Sequence, residues 1–222
     1  LWFHVVYWPA MLMSAGIELP KSVFVHGYWT FDKEKISKSR GKVINIDELI
    51  AITGNVDSAR YFLLRETPFG DDGDFSEKAL IDRHNGELVN KLGNLVSRVA
   101  GLIAPKGVPR DISNTLKGTS EMPTKGKKNG VEETENKLIK KLNEKKISEL
   151  IDNYEFDKAL NDIFAFIDVC NEYVQDKKPW ETGDKKVLFE LKESILKIAE
   201  LLLPFIPESA EKIKKQFSAK DI

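Results

Sequence analysis

The 222-residue chain is 41% hydrophobic and 31% charged, enough apolar content for a substantial core in one large domain or two small ones. Its 34 basic and 35 acidic residues leave a net charge of −1, so bulk electrostatics do not mark a nucleic-acid binder, and any RNA contact must come from a local patch or from stacking. Cys170 stands alone, which excludes an intramolecular disulfide and a cysteine-cluster metal site and suits a reducing cytoplasm, and no stretch approaches the roughly 20 apolar residues that cross a bilayer.

Leu1 to Met13 is apolar but carries His4 and Pro9 and lacks a basic leader, so it reads as a buried segment and not as a signal peptide. Residues 1 to about 45 are predicted as a helix, a buried strand at Val23 to Val25, and a hairpin through Trp29-Thr30-Phe31 and Asp32-Lys33-Glu34 into a basic loop, the last piece of an α/β nucleotide-binding domain. A parallel strand without partners cannot bury both faces, so this segment is expected to be poorly supported unless further strands flank it.

From Asp47 to Arg65 the pattern is helical, with Ile46, Leu49, Ile50 and then Ala59, Phe62, Leu63 at helical spacing around a turn at Gly54-Asn55. Residues 46–73 read as one segment. Its turn-rich end, Pro68 to Gly73, precedes Asp74, which is expected to cap a helix while Glu77 reaches back, opening a domain over residues 74–222. Ile81, Leu88, Leu92, Leu95, Val99 and Leu102 then mark one long amphipathic helix ended by Pro105.

Residues 105–131, rich in Gly, Pro, Ser, Thr and Lys, read as a long exposed loop in which Lys125, Lys127 and Lys128 are solvated. Further helices follow: one marked by Leu138, Leu142, Leu150 and Ile151, one from Phe156 to Val174 that stops at Pro179, one over Val187 to Leu203, and a short one over Ser209 to Phe217. The expected fold is mainly α, an antiparallel helical bundle behind a Rossmann-like α/β remnant.

Chemistry concentrates in the pentad Lys35-Ile36-Ser37-Lys38-Ser39, where ammonium groups alternate with hydroxyls. Two lysines three apart can approach different oxygens of one polyphosphate, although an isolated basic turn is also an ordinary solvated loop. His26 and Gly27 close the predicted strand, at the carboxyl edge where open α/β sheets bind ligands; a structural histidine is the alternative. Asn94 and Arg98 lie one helical turn apart in a polar stripe with Glu87 and Lys91, which is either a solvated face or a contact surface. Trp180 follows Pro179 directly after a helix, where the indole is expected to stay clear of the neighbouring apolar faces and to stack on an unpaired base; core filling is the alternative.

The pentad differs at one position from the Lys-Met-Ser-Lys-Ser signature of class I aminoacyl-tRNA synthetases, with Ile36 for Met. Phe3-His4-Val-Val-Tyr7-Trp8, Val23-Phe-Val-His26-Gly27, Arg60-Tyr-Phe-Leu-Leu-Arg65, Pro68 to Ser76 and Pro179-Trp180 surround it in an order that resembles the methionyl-tRNA synthetase family. The family's His-Ile-Gly-His block and its zinc-bearing cysteine insertion are absent, so the chain looks like the C-terminal part of a longer enzyme whose catalytic domain has its N-terminal half elsewhere. The resemblance implies ATP with Mg2+, methionine and tRNA-Met as substrates and partners, with no metal held by this part and no membrane association. It implies catalytic roles for Lys38 and Lys35, ATP contacts from Lys35, Ser37, Lys38, Ser39, His26 and Gly27, and a methionine pocket at Phe3, His4 and Trp8. It also implies a connecting role for residues 46–73 and anticodon reading by Asn94, Arg98 and Trp180. A noncatalytic tRNA-binding module, or another class I synthetase, remains the alternative.

Overall fold

The computed structural model describes residues 1–31, 34–35, 45–103 and 136–218, and their fold is mainly helical with one small sheet. A π-type turn, Phe3–Tyr7, runs into helix α1 (Trp8–Ser14), and neither contains a buried residue. The chain then continues without regular structure to strand β1 (Trp29–Phe31). Val23 to Val25, expected as a buried strand, form no ladder and are exposed: the backbone has no partner there to satisfy it as a sheet strand.

Strand β1 pairs antiparallel with β2 (Glu34–Lys35) and parallel with β3 (Gly73–Phe75), with Thr30 opposite both Lys35 and Asp74. Between β2 and β3 lie helices α2 (Ile46–Thr53) and α3 (Val56–Arg65). Asn45 and Glu48 form a reciprocal capping box on α2, Gly54 ends it at φ 74, and the Asn55 side chain starts α3 by accepting from Ser58 N at 2.8 Å. Asp74, expected to cap the next helix, sits instead in β3 and accepts from Thr30 Oγ1 at 2.6 Å. The cap is Ser76, two residues later, whose Oγ accepts from Ala79 N at 3.1 Å.

The long helix begins as α4 (Glu77–Arg83), passes through a π-type segment at His84–Gly93, and ends as α5 (Asn94–Ile103). The wider turns shift the phase of its apolar face. Leu92, Leu95 and Val99 are buried as expected, but Leu80 and not Ile81 faces inward, Ile81 being 41% exposed. The long loop expected over 105–131 lies outside the described residues.

Beyond it come a short 3-10 turn (Ile139–Lys141) and helices α6 (Glu144–Asp152), α7 (Phe156–Lys177), α8 (Pro179–Thr182), α9 (Lys185–Leu202) and α10 (Pro207–Ser218). The apolar faces of α5, α6, α7, α9 and α10 close one core containing Leu95, Val99, Ile163, Ile167, Leu191, Ile195 and Phe217. A second, smaller core joins Leu49, Ala59, Phe62, Phe75 and Leu80, with Trp29 packed against it. Helix α3 divides the two: Tyr61 enters the first and its neighbour Phe62 the second.

Polar bonds reinforce that junction. Asp57, 3% exposed, accepts from Ser209 N at 2.6 Å and Glu208 N at 3.4 Å, so α3 caps the first turn of α10 from another part of the chain. Arg60 donates to the Pro204 carbonyl at 2.9 Å and the Phe205 carbonyl at 3.4 Å just beyond α9. Glu87 of the π-type segment accepts from the Tyr61 hydroxyl and pairs with both Arg65 and Arg83 at 3.1 Å.

Candidate nucleic-acid interface

A surface groove of about 970 Å³ runs along the outer face of the π-type segment and α5, with α10 as its opposite wall. Asn94, Arg98 and Trp180 all line it, although the tryptophan comes from α8, far along the chain from the other two. Pro179 begins α8 immediately after Lys178, which takes the left-handed conformation at φ 43. The reversal ends α7 and turns the indole outward, leaving it 46% exposed.

Arg98 and Trp180 are in direct contact, the guanidinium carbon lying 5.7 Å from the indole centroid. Among the described residues no carboxylate pairs with Arg98 and no hydrogen bond occupies the Asn94 amide, so one full positive charge and one free donor–acceptor pair face the groove. The remaining lining is mostly apolar, from residues such as Leu88, Val89 and Ile213, with Lys212 and Gln216 contributed by α10. This combination suits a single strand whose bases are splayed out: an aromatic face to stack on, a cation over it, and an amide to read an edge.

The polar stripe does not act as a unit. Lys91 pairs with Asp168 at 2.6 Å, and Glu87 turns into the network with Tyr61, Arg65 and Arg83. Burial raises the Glu87 carboxyl, but the Tyr61 hydroxyl and the two guanidinium groups outweigh it and hold the carboxyl below its usual range. The Tyr61 hydroxyl is pushed far up, by burial first and by Glu87 second.

The other predicted site residues do not gather into one site among the described residues. Phe3 and His4 touch edge to face at 5.5 Å on the exposed N-terminal turn, and Trp8 lies on the same turn-helix segment without a buried neighbour in it. His26 is exposed, with Nδ1 2.8 Å from the Gly27 carbonyl oxygen, beside a small cavity of about 200 Å³ lined by Tyr28, Pro68, Phe69 and Asp71. Gly27 has a local structural reason: a Cβ there would lie 1.9 Å from the Asp71 carbonyl oxygen, so only glycine lets the two backbones meet. The Lys35 backbone belongs to β2, and Ser37, Lys38 and Ser39 lie outside the described residues.

Sequence reasoning missed the α10 wall of the groove, because Lys212 and Gln216 carry no motif and become neighbours of α5 only through tertiary packing. It also missed Asp57 and Arg60, although unmatched charges on a helix face that is otherwise apolar are a readable signal for an interior cap.

Comparison with known proteins gives this geometry a lineage. Residues 1–100 match the family described as class I tRNA synthetases of the methionine group, and residues 135–221 match the anticodon-binding domain of tRNA ligases. Such a pair of segments defines a class I aminoacyl-tRNA synthetase.

Among curated relatives, the methionine–tRNA ligases of Fusobacterium nucleatum and Rickettsia conorii are 38% and 40% identical over 99% and 96% of the chain. The solved methionyl-tRNA synthetase of Mycobacterium tuberculosis in complex with methionyl-adenylate is similar over 96% of the chain, with TM-score 0.74 and 33% identity. The chain belongs to the methionyl-tRNA synthetase family. It spans 34% and 41% of the length of those two curated relatives and 41% of that solved chain.

Proposed function

We propose that the chain is the C-terminal part of a methionine–tRNA ligase, which activates methionine with ATP to methionyl-adenylate and transfers the methionyl group to tRNA-Met, and that its groove reads the anticodon. The observation that carries this reading is the convergence of Asn94, Arg98 and Trp180 on one groove from helices α5 and α8. In it, the exposed indole stacks on a base while Asn94 and Arg98 hydrogen-bond base edges. Residues 74–222 form the antiparallel anticodon-binding bundle, 46–73 the connecting region, and 1–45 the end of a Rossmann-like catalytic domain.

In that domain Lys38 and Lys35 stabilise charge on the phosphates of Mg2+-bound ATP, with Ser37 and Ser39 holding their loop and His26 and Gly27 alongside. Phe3, His4 and Trp8 contribute to the methionine pocket. In this reading the Mg2+ arrives with ATP; among the described residues no group of three or more His, Cys, Asp or Glu side chains is placed to hold a metal ion. No described helix is long and apolar enough to cross a membrane; the reading places the enzyme in the cytoplasm.

The test is binding of the chain to tRNA-Met and to a transcript altered only in its anticodon. Stacking on an aromatic side chain is worth about 1–3 kcal/mol per base, so Trp180→Ala is expected to remove discrimination of roughly fivefold or more. Equal binding of both transcripts by the unmodified chain would overturn the anticodon assignment.

A further inference from the structure

Gln175 lies on the last turns of α7, five residues before Trp180 and on the same side of the helix end. In the amide orientation that satisfies both its oxygen and its nitrogen, that oxygen accepts from Arg98 Nη2 at 2.9 Å and Nη1 at 3.1 Å. A single carbonyl therefore bridges the two terminal nitrogens of the guanidinium while the Trp180 ring lies 5.7 Å from its carbon.

An arginine side chain has many rotamers, and ordering one on binding lowers affinity. Here two fixed contacts hold it before any ligand arrives. The clamp is also neutral. A carboxylate at position 175 would hold the same nitrogens but cancel the charge; an amide oxygen leaves the guanidinium positive toward the groove.

We infer that Gln175 is a positioning residue for the groove, a neutral acceptor that fixes the Arg98 guanidinium against Trp180 so that the pair is preorganised for a single-stranded base. This rests on the anticodon reading given above, because it presumes that Arg98 contacts the RNA. Gln175 itself is exposed on a helix, and leucine is a good helix former, so its replacement leaves the core untouched.

The experiment measures binding of tRNA-Met and of an anticodon-altered transcript to the full 222-residue chain and to Gln175→Leu, Gln175→Glu, Arg98→Ala and Trp180→Ala. Losing the preorganisation of one long side chain predicts that Gln175→Leu lowers the ratio of the two affinities roughly three- to tenfold, with affinity for the altered transcript unchanged. Gln175→Glu keeps an acceptor and restores the ratio, but weakens binding of both transcripts because its charge offsets that of Arg98. A merely structural role would instead lower both affinities together in Gln175→Leu. If Gln175→Leu keeps the full ratio while Arg98→Ala and Trp180→Ala lose it, the positioning role is wrong and the anticodon reading survives. If Arg98→Ala and Trp180→Ala also keep the ratio, the anticodon reading falls and this inference falls with it.

Discussion

Replacing Asp57 by alanine tests whether α3 and α10 are held together by one buried carboxylate. Asp57 is 3% exposed and accepts from the backbone N–H groups of Ser209 and Glu208, 2.6 and 3.4 Å away, at the start of α10. Alanine removes a helix cap, worth about 1 kcal/mol, and leaves part-buried N–H donors without their acceptor, which costs about 1–3 kcal/mol. The two costs overlap, since both describe the same lost acceptor, so about 2–3 kcal/mol is expected. For a chain of this size, each kcal/mol shifts the melting temperature by about 2–4 °C, giving a fall of about 4–12 °C. Hydrogen exchange adds the location: amides over Pro207–Ser218 should lose protection in Asp57→Ala while those in the middle of α7 keep theirs relative to the global change. Asp57→Asn, which retains one acceptor oxygen, should recover part of the loss. A melting temperature within 1 °C of the unmodified chain, with α10 still protected, would refute the argument that this cap is structural.

Glu87 sets a pH dependence. Its carboxyl is held below the usual value, so it contributes stability that is fully present above about pH 4.3 and is lost as pH falls through the lower folded value. Glu87→Gln should therefore be less stable than the unmodified chain at pH 7, and urea titrations should show the gap closing below pH 4. Cys170 is buried among the core helices, and burial pushes its thiol up to about 12, so alkylation at pH 8 is expected only under denaturing conditions; rapid modification of the native chain, followed by mass spectrometry, would contradict the packing.

Local grammar was readable wherever neighbouring residues decide the outcome. The Gly54-Asn55 break, the stop at Pro179 and the apolar faces of α7 and α9 follow from turn chemistry and helical periodicity, which are properties of short windows. The errors lie where distant chain decides. Asp-x-x-Glu spacing at Asp74 suits a helix cap, but pairing of Gly73–Phe75 with β1 draws it into a strand and leaves the cap to Ser76. A uniform α-helical phase puts Ile81 inward, but the π-type segment breaks that phase and leaves it exposed. The same distinction holds in the groove. Asn94, Arg98 and Trp180 were legible through their local settings, whereas Gln175 and the α10 wall depend on how α5, α7 and α10 stack, which no short window encodes.

The two ends of the chain differ in how far they bury their own apolar surface, and that difference predicts which activity the chain supports alone. From α3 onward the helices close a core that includes fully buried Ile163, Leu191 and Phe217. Residues 1–14 present the reverse: Trp2 is 75% and Met13 68% exposed, and no side chain of the first turn or of α1 is buried. An apolar helix with nothing against it gains no burial energy, and isolated helices of this length are marginal in water. Hydrogen exchange should accordingly find amides over Trp8–Ser14 close to unprotected while those of α7 and α9 exchange slowly. Under the proposed function the same segment carries Phe3, His4 and Trp8 of a methionine pocket, so the chain alone should give no ATP–pyrophosphate exchange with methionine yet still discriminate anticodons. Protection of Trp8–Ser14 matching that of α7 would show that the segment docks on the helical core, and pyrophosphate exchange by the purified chain would show that adenylate formation does not depend on the part of the enzyme outside it.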